Sequence, residues 1–398
     1  MRPVAVGEIS EQIRGVSYSK GDATSAPAEG YAPVLRAGNI TEFGITFEDL
    51  IFVPKRFVSE KQLLRSGDVL IAASSGSLDV VGKAALVLHD YEGAFGAFCK
   101  VLRPRKDRVE PAYFAHYFKT IEYRRKISSL AAGANINNLK NEHLDELLIP
   151  LAPLAEQRRI AVILDKADTL RTKRREALAQ LDRLAQSIFV EMFGDQRPDS
   201  IGSDSITLAE LVAINPRISP EERQTLLNTE VAFLPMAAVS DIERRVIVDE
   251  LRPYNEVAKG YTPFKRGDLL VAKITPCYEN GKMAIASELS SEYGFGSTEF
   301  HVFRFATKPL GLFVFYLLGQ DWVAEAGAKS MKGAAGQRRV PADYFGSLRL
   351  KKPRSELLEI FAVRVSKIDA LKESARRSLL ELDGLFASLQ HRAFRGEL

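Results

Sequence analysis

Residues 150–195 read PLAPLAEQRRIAVILDKADTLRTKRREALAQLDRLAQSIFVEMFGD, and the rest of the chain is organised around them. Their apolar residues recur at helical spacing, mostly three and four apart: Ile160, Ile163, Leu164, Ala167, Leu170, Ala177, Leu178, Leu181, Leu184, Ala185, Ile188 and Met192. That spacing draws one apolar stripe along a helix. Pro153 suits a first helical turn, Glu156 meets the positive end of the helix dipole, and Gly194 supplies the stop. At 1.5 Å per residue such a helix is a rod of about 60 Å, longer than most helices inside a domain.

A second copy of the pattern runs from Pro353 to Leu398, where Phe361, Ile368, Ala375, Leu382 and Leu389 recur every seventh residue. LDRLAQSIFVEMF (181–193) lies over LDGLFASLQHRAF (382–394) at an offset of 201, and PLAE (153–156) over PRSE (353–356) at 200. Matched seven-residue recurrence predicts that the two helices pair as a two-stranded coil, and for the second to pair along the first it must run back, antiparallel. The expected pairing positions are Ile160, Ile163, Leu164, Leu170, Leu178, Leu181, Leu184 and Ile188 on the first, and Phe361, Ile368, Leu371, Leu382, Leu385 and Leu389 on the second.

The duplication continues through the remainder. GDVLIAA (67–73) lies over GDLLVAK (267–273), GKAAL (82–86) over GKMAI (281–285), and CKVLR (99–103) over FHVFR (300–304). A period near 200 residues means a duplicated domain, because solenoid repeats are far shorter. Short runs rich in Val, Ile, Leu and Phe read as strands at 68–72, 84–88 and 269–272, with helices at 111–127 and 310–328. The fold class is therefore mixed α/β: two similar α+β domains separated by two long antiparallel helices with an approximate twofold. The expected divisions are a first domain over 1–150, a long helix over 151–198, a second domain over 199–350 and a second long helix over 351–398.

Composition excludes several classes. Two cysteines, Cys99 and Cys277, make neither a disulfide framework nor a structural zinc site. No apolar run reaches a membrane span and MRPVAVGEIS has no secretory pattern, so a cytoplasmic location is expected. Residues 76–83 lack the spacing of a phosphate loop and read as a turn, and the five histidines show no metal-binding spacing. Asn215-Pro216-Arg217 lacks the aromatic residue that an adenine-flipping loop carries. No catalytic residue or metal ligand is assigned, and chemistry is expected to belong to a partner. Charge is balanced, residues 1–150 carrying 19 basic and 18 acidic side chains, so a phosphate-binding surface must come from local clusters such as 100–108, 124–126 and 329–339.

The 150–195 segment resembles the central conserved region of specificity subunits of type I restriction-modification systems. LDGLFASLQHRAFRGEL (382–398) resembles their distal conserved region, and GDVLIAA and GDLLVAK resemble strands of their target recognition domains. One departure is visible: Glu156-Gln157 has no counterpart after Glu356, where Leu357 follows.

The resemblance implies a non-catalytic, sequence-specific DNA-binding subunit for phage defence. Each target recognition domain would read one half of a bipartite, asymmetric double-stranded target, and the helices would fix the unread spacer. It implies as partners two modification subunits that methylate adenine N6 with S-adenosylmethionine, and restriction subunits that use ATP and Mg to translocate and cleave DNA. No cofactor is expected on this chain itself.

Base reading needs donors and acceptors on loops that reach a groove. The candidates in the first domain are Lys20, Arg36, Asn39, Ser74, Ser75, Lys83, Asn135, Asn137 and Asn138. In the second they are Lys273, Thr275, Tyr278, Asn280, Lys282, Lys332, Gln337, Arg338 and Arg339. Two other readings are a coiled-coil scaffold holding two protein-binding domains, and a stand-alone nuclease with its own recognition domains. The first would show no salt-dependent DNA binding, and the second would need a metal-binding carboxylate cluster.

Overall fold

The computed structural model describes residues 1–42, 44–131, 137–201, 205–247, 249–334 and 336–398. It divides into two compact units, Met1–Leu178 with Ser374–Leu398, and Ala179–Glu373. Each long helix is thus shared: the division falls within the helices, because each half-helix packs into a different core.

In the first unit an antiparallel sheet runs in the order Ser10–Arg14, Cys99–Pro104, Val69–Ala72, Ala84–Leu86. Alternate residues on a strand point to opposite faces, and because both faces are covered they join two different cores. Val69, Ile71 and Leu102 join Tyr113, Phe114 and Phe118 in a core under the helices Pro111–Tyr117 and Ile121–Ala131. Leu70, Ala72, Ala85, Cys99 and Val101 form a second core on the other face. A smaller sheet, with Ala94–Phe95 parallel and Ile51–Pro54 antiparallel to Tyr31–Leu35, lies beside it in the chain order. The sequence pattern predicts one helix over 111–127; two are found, because Thr120 turns its hydroxyl back onto the Tyr117 carbonyl at 2.8 Å and caps the second helix.

The second unit repeats this plan. Its antiparallel sheet runs Ala213–Ile214, Phe300–Arg304, Leu269–Ala272, Met283–Ile285. Its second sheet runs Glu250–Pro253, Glu230–Leu234, Tyr293–Gly296, Thr262–Lys265, and its helices are Lys308–Leu318 and Asp321–Ser330. Here too the helix expected at 310–328 is two, broken at Gly319.

The long helices are Leu154–Phe193 and Ser355–Arg395, of 40 and 41 residues. In the first unit Ile160, Ala161, Leu164 and Ala167 share a core with Phe386 and Ala393. In the second, Ala185, Phe189 and Phe193 share one with Phe361, Val365 and Ile368. Phe189 and Phe193 meet Phe361 at ring distances of 5.8 and 5.3 Å, edge-on contacts worth about 0.5–1.5 kcal/mol each beyond area burial. Early residues of one helix meet late residues of the other, so the pairing is antiparallel.

The expected seam needs correction at four places. Leu170, Leu184, Leu371 and Leu385 are exposed, whereas Ile160, Leu164, Phe361 and Ile368 are buried and Ile163, Leu178, Leu181, Ile188, Leu382 and Leu389 partly so. The seam runs through 164, 171, 178 and 185, and at 171 it holds an arginine. Arg171 bonds Asp168 at 2.8 Å and Asp383 at 2.6 Å, with its guanidinium 4.3 Å over the Phe386 ring. The neighbouring Leu170 is thereby turned outward. The equivalent position in the second unit is Lys372, 2.6 Å from Asp182 and 3.7 Å from Asp369.

Candidate nucleic-acid interface

In each unit the central strand of the four-stranded sheet runs out into a turn, and a segment returning from the second helix pairs with that exit. In the first unit Ser74 and Ser75 pair with Asn138 and Asn137, and the Leu139 amide donates to the Ala73 carbonyl at 2.8 Å. In the second, Ile274 bridges Arg339, the Thr275 amide donates to the Arg338 carbonyl at 3.0 Å, and the Val340 amide donates to Lys273 at 2.9 Å. These are the same places in the repeat. Extended, edge-paired backbone of this kind holds alternate side chains at fixed spacing, which suits reading a base edge.

The structure therefore brings together Ser74, Ser75, Asn137 and Asn138 in one unit, and Lys273, Thr275, Lys332, Arg338 and Arg339 in the other. Lys83 closes the turn after Ser75, its carbonyl accepting from the Ala72 amide at 2.9 Å; Lys282 does so in the second unit at 3.0 Å and also points its ammonium at the Met236 carbonyl. Asn280 is exposed in that turn and Gln337 in the returning one. The turn at 76–83 is a turn, as its spacing implied. Lys20 and Arg36 are exposed on segments flanking Tyr31–Leu35, and the Arg36 guanidinium donates to the Asp49 carbonyl at 2.8 Å. Asn135 lies outside the described residues.

Two candidates are framework. Asn39 is 4 % exposed, accepts from the Arg36 amide at 2.8 Å and donates to the carbonyls of Thr46 and Glu48, which consumes its amide. Tyr278 is 6 % exposed and its hydroxyl donates to the Val323 carbonyl at 3.2 Å; burial pushes its phenol up. Both residue types are turn or strand formers whose polar ends the local backbone satisfies. Arg124 is framework as well, donating to Val81 at 2.7 Å and to Asp79 at 3.2 Å and so bracing the turn.

Arg339 is not bare. Its Nε and Nη2 meet the Glu299 carboxylate at 2.9 and 2.8 Å, and the hydrogen bonds from that guanidinium hold Glu299 below the usual carboxylate range. Arg338 stands 3.6 Å from Glu279. An acidic cover on a basic loop lowers affinity for any phosphate and leaves binding to be regained by exchange of partners.

Composition and spacing did not single out Phe98, which is 67 % exposed and whose carbonyl receives the amides of Ala73 and Ser74 at 2.8 and 3.0 Å. A lone aromatic at a strand end carries no pattern. Asn215, noted for its Asn-Pro sequence, is structural: it adopts φ +51°, and its side chain receives the Val302 amide at 2.9 Å. Gln157, the residue without a counterpart in the second half, is 1 % exposed and ties the helix start to the Glu110 amide at 2.9 Å and the Ala152 carbonyl at 2.7 Å. Cys99 is buried, which pushes its thiol up to about 12 and leaves it unreactive. Among the described residues no group of three His, Cys, Asp or Glu is placed to hold a metal ion, and no helix is long and apolar enough to cross a membrane.

Residues 2–181 match the family described as the type I restriction modification DNA specificity domain. Over 415 aligned residues the chain is 31 % identical to the StySPI specificity subunit of Salmonella potsdam, spanning 99 % of this chain and 88 % of that protein. It is 44 % identical to the EcoKI specificity subunit of Escherichia coli (strain K12) over 181 residues, 46 % of this chain and 38 % of that one. The type I restriction-modification S subunit from M. genitalium superposes with a TM-score of 0.51 at 14 % identity, over 99 % of this chain and 96 % of the other. A chain from a second solved type I R-M system gives 0.50 at 17 %, over 100 % and 98 %. At those identities the likeness is one of fold.

Proposed function

The chain belongs to the family of type I restriction enzyme specificity subunits, non-catalytic DNA-recognition components of restriction-modification systems, and from that premise we propose how it reads its target. Each unit presents its strand exit and returning segment to one half of a bipartite double-stranded site. The observation that carries this reading is the repeat itself: the same backbone pairing recurs, but with Ser74, Ser75 and Asn138 in one unit and Thr275, Arg338 and Arg339 in the other. Equal backbones with unequal side chains favour two half-sites of different sequence. Arginine pairs two donors with guanine O6 and N7, and asparagine matches adenine N6 and N7.

The long helices act as the spacer, and the leucines they leave exposed, Leu170, Leu184, Leu371 and Leu385, form apolar ground for partner proteins. Those partners are two modification subunits, which bring S-adenosylmethionine and transfer methyl to adenine N6, and restriction subunits, which bring ATP and Mg. This chain supplies the address and works in the cytoplasm, where the DNA is.

The test is to express the chain with a modification subunit and map methylated adenines genome-wide. A single split motif with two unlike halves is expected. Methylation without a split motif would overturn the reading, and a chain that shows no salt-dependent shift on random duplex would favour a scaffold.

A further inference from the structure

In the strand Cys99–Pro104, side chains on the helix-facing side are Lys100 and Leu102; in Phe300–Arg304 they are His301 and Phe303. Lys100 and His301 occupy the same place in the repeat and are polar residues inside a core, 8 % and 5 % exposed. Each spends its donor in the same way. The Lys100 ammonium donates to the Leu139 carbonyl at 2.7 Å and to Asn141 Oδ1 at 2.8 Å. His301 Nε2 lies 2.9 Å from the Val340 carbonyl. Leu139 and Val340 are the residues that follow Asn138 and Arg339, and their amides in turn bond the Ala73 and Lys273 carbonyls.

The tautomer of His301 follows from its neighbours. The Asn215 oxygen is held by the Val302 amide at 2.9 Å, so the atom it turns to His301 Nδ1, 3.1 Å away, is its NH2. Nδ1 is therefore the acceptor and Nε2 carries the proton given to Val340. The returning segment is gripped at one residue from both sides, by sheet backbone on its amide and by a buried side chain on its carbonyl.

Resting on the reading above that these segments meet DNA, we infer that Lys100 and His301 are positioning residues for base reading: each locks the register of the segment that carries its unit's contact side chains. A slip of one residue in extended backbone turns every side chain to the opposite face, so a lock at 139 or 340 decides which side chains reach the groove. Burying an ammonium among neutral acceptors costs free energy that a leucine would not, which argues for a task other than stability.

The test uses the full chain with its modification subunit, selecting methylated duplexes from a library randomised in both half-sites. The variants are His301→Ala, Lys100→Ala and His301→Gln, whose amide keeps a neutral N–H donor. His301→Ala is expected to cut discrimination in the half-site of the second unit by tenfold or more, leaving the other half-site's profile as in the parent. Lys100→Ala should do the converse, and His301→Gln should regain most of the lost discrimination. A purely structural role would lower the melting temperature and total binding while preserving base preference in both half-sites. That outcome, or equal loss in both, would overturn the inference. A parent complex with no base preference at all would instead overturn the DNA-reading proposal, and the two failures are thus distinct.

Discussion

Arg103 grips Asp68 through two hydrogen bonds, Nε to Oδ1 and Nη2 to Oδ2, both 2.8 Å, and Arg304 grips Asp268 in the same way at 2.9 and 2.7 Å. Each carboxylate also receives an amide three residues before it, from Arg65 and Lys265. The aspartates are 1 % and 2 % exposed. Duplication has thus preserved a buried ion pair at the base of each sheet, where its loss would leave an unpaired charge.

Arg103→Ala strands the Asp68 carboxylate in the core. Removing one partner of a buried pair costs about 3–5 kcal/mol. Chemical denaturation of the purified chain should show a loss of that size, and Arg103→Ala with Asp68→Asn should recover part of it. A loss below 1 kcal/mol would place the pair among surface bridges.

Ala185→Asp puts a charge at a fully buried seam position and should cost roughly 3–5 kcal/mol, whereas Leu184→Glu, at the next residue and 48 % exposed, should stay within about 0.5 kcal/mol. If the exposed leucines receive the modification subunit, Leu184→Glu weakens assembly in light scattering while melting as the parent does. Equal melting losses for both variants would restore Leu184 to the seam.

Glu299→Gln frees the Arg339 guanidinium from its carboxylate. Non-specific duplex binding should tighten, and the slope of log K against log salt should steepen by about 0.9 for each phosphate gained. An unchanged slope would mean that Arg339 never meets a phosphate.

Acidification should act through His301. Burial, the largest cause, lowers its pKa from the ordinary 6.5, with Lys273 acting in the same direction and Glu299 and the Val340 carbonyl opposing. The folded state therefore binds that proton less readily than the unfolded chain. Its contribution is fully present above 6.5 and is lost as pH falls through the lowered folded value. Denaturation over this range should show a steeper pH slope in the parent than in His301→Gln, which keeps only the slope from groups such as Asp168 and Glu299 whose carboxyls are also lowered; identical slopes would mean that His301 does not report folding.

Insertion of seven residues between Leu178 and Ala179 and seven between Glu373 and Ser374 leaves each unit's helix contacts in register. Two heptads lengthen the pair by about 10 Å, or about three base pairs. Methylation mapping is expected to return the same half-site bases with a spacer longer by that amount. The original spacer would show that helix length does not set it.

Periodicity and duplication made much of this molecule legible before folding was considered. Apolar spacing of three and four defined both long helices, and aligning CKVLR with FHVFR and GDVLIAA with GDLLVAK already paired Arg103 with Arg304 and Asp68 with Asp268. These are local or repeated signals, written in the chain itself. That Arg103 closes on Asp68 is not local: Asp68 immediately precedes the strand Val69–Ala72, which pairs with the strand of Arg103, and only sheet register joins them. The same holds for the seam, where a stripe of leucines wide enough to cover two faces left the phase open until Arg171 found Asp383. It holds for the proposed reading surface too, since Asn138 and Ser74 become neighbours by strand pairing alone. Asn39 and Tyr278 carry the chemistry of contact residues, and it is the closing of nearby carbonyls around them that removes them from solvent. Side-chain type is a property of sequence; which polar atoms remain free is decided by the tertiary contacts that satisfy the rest.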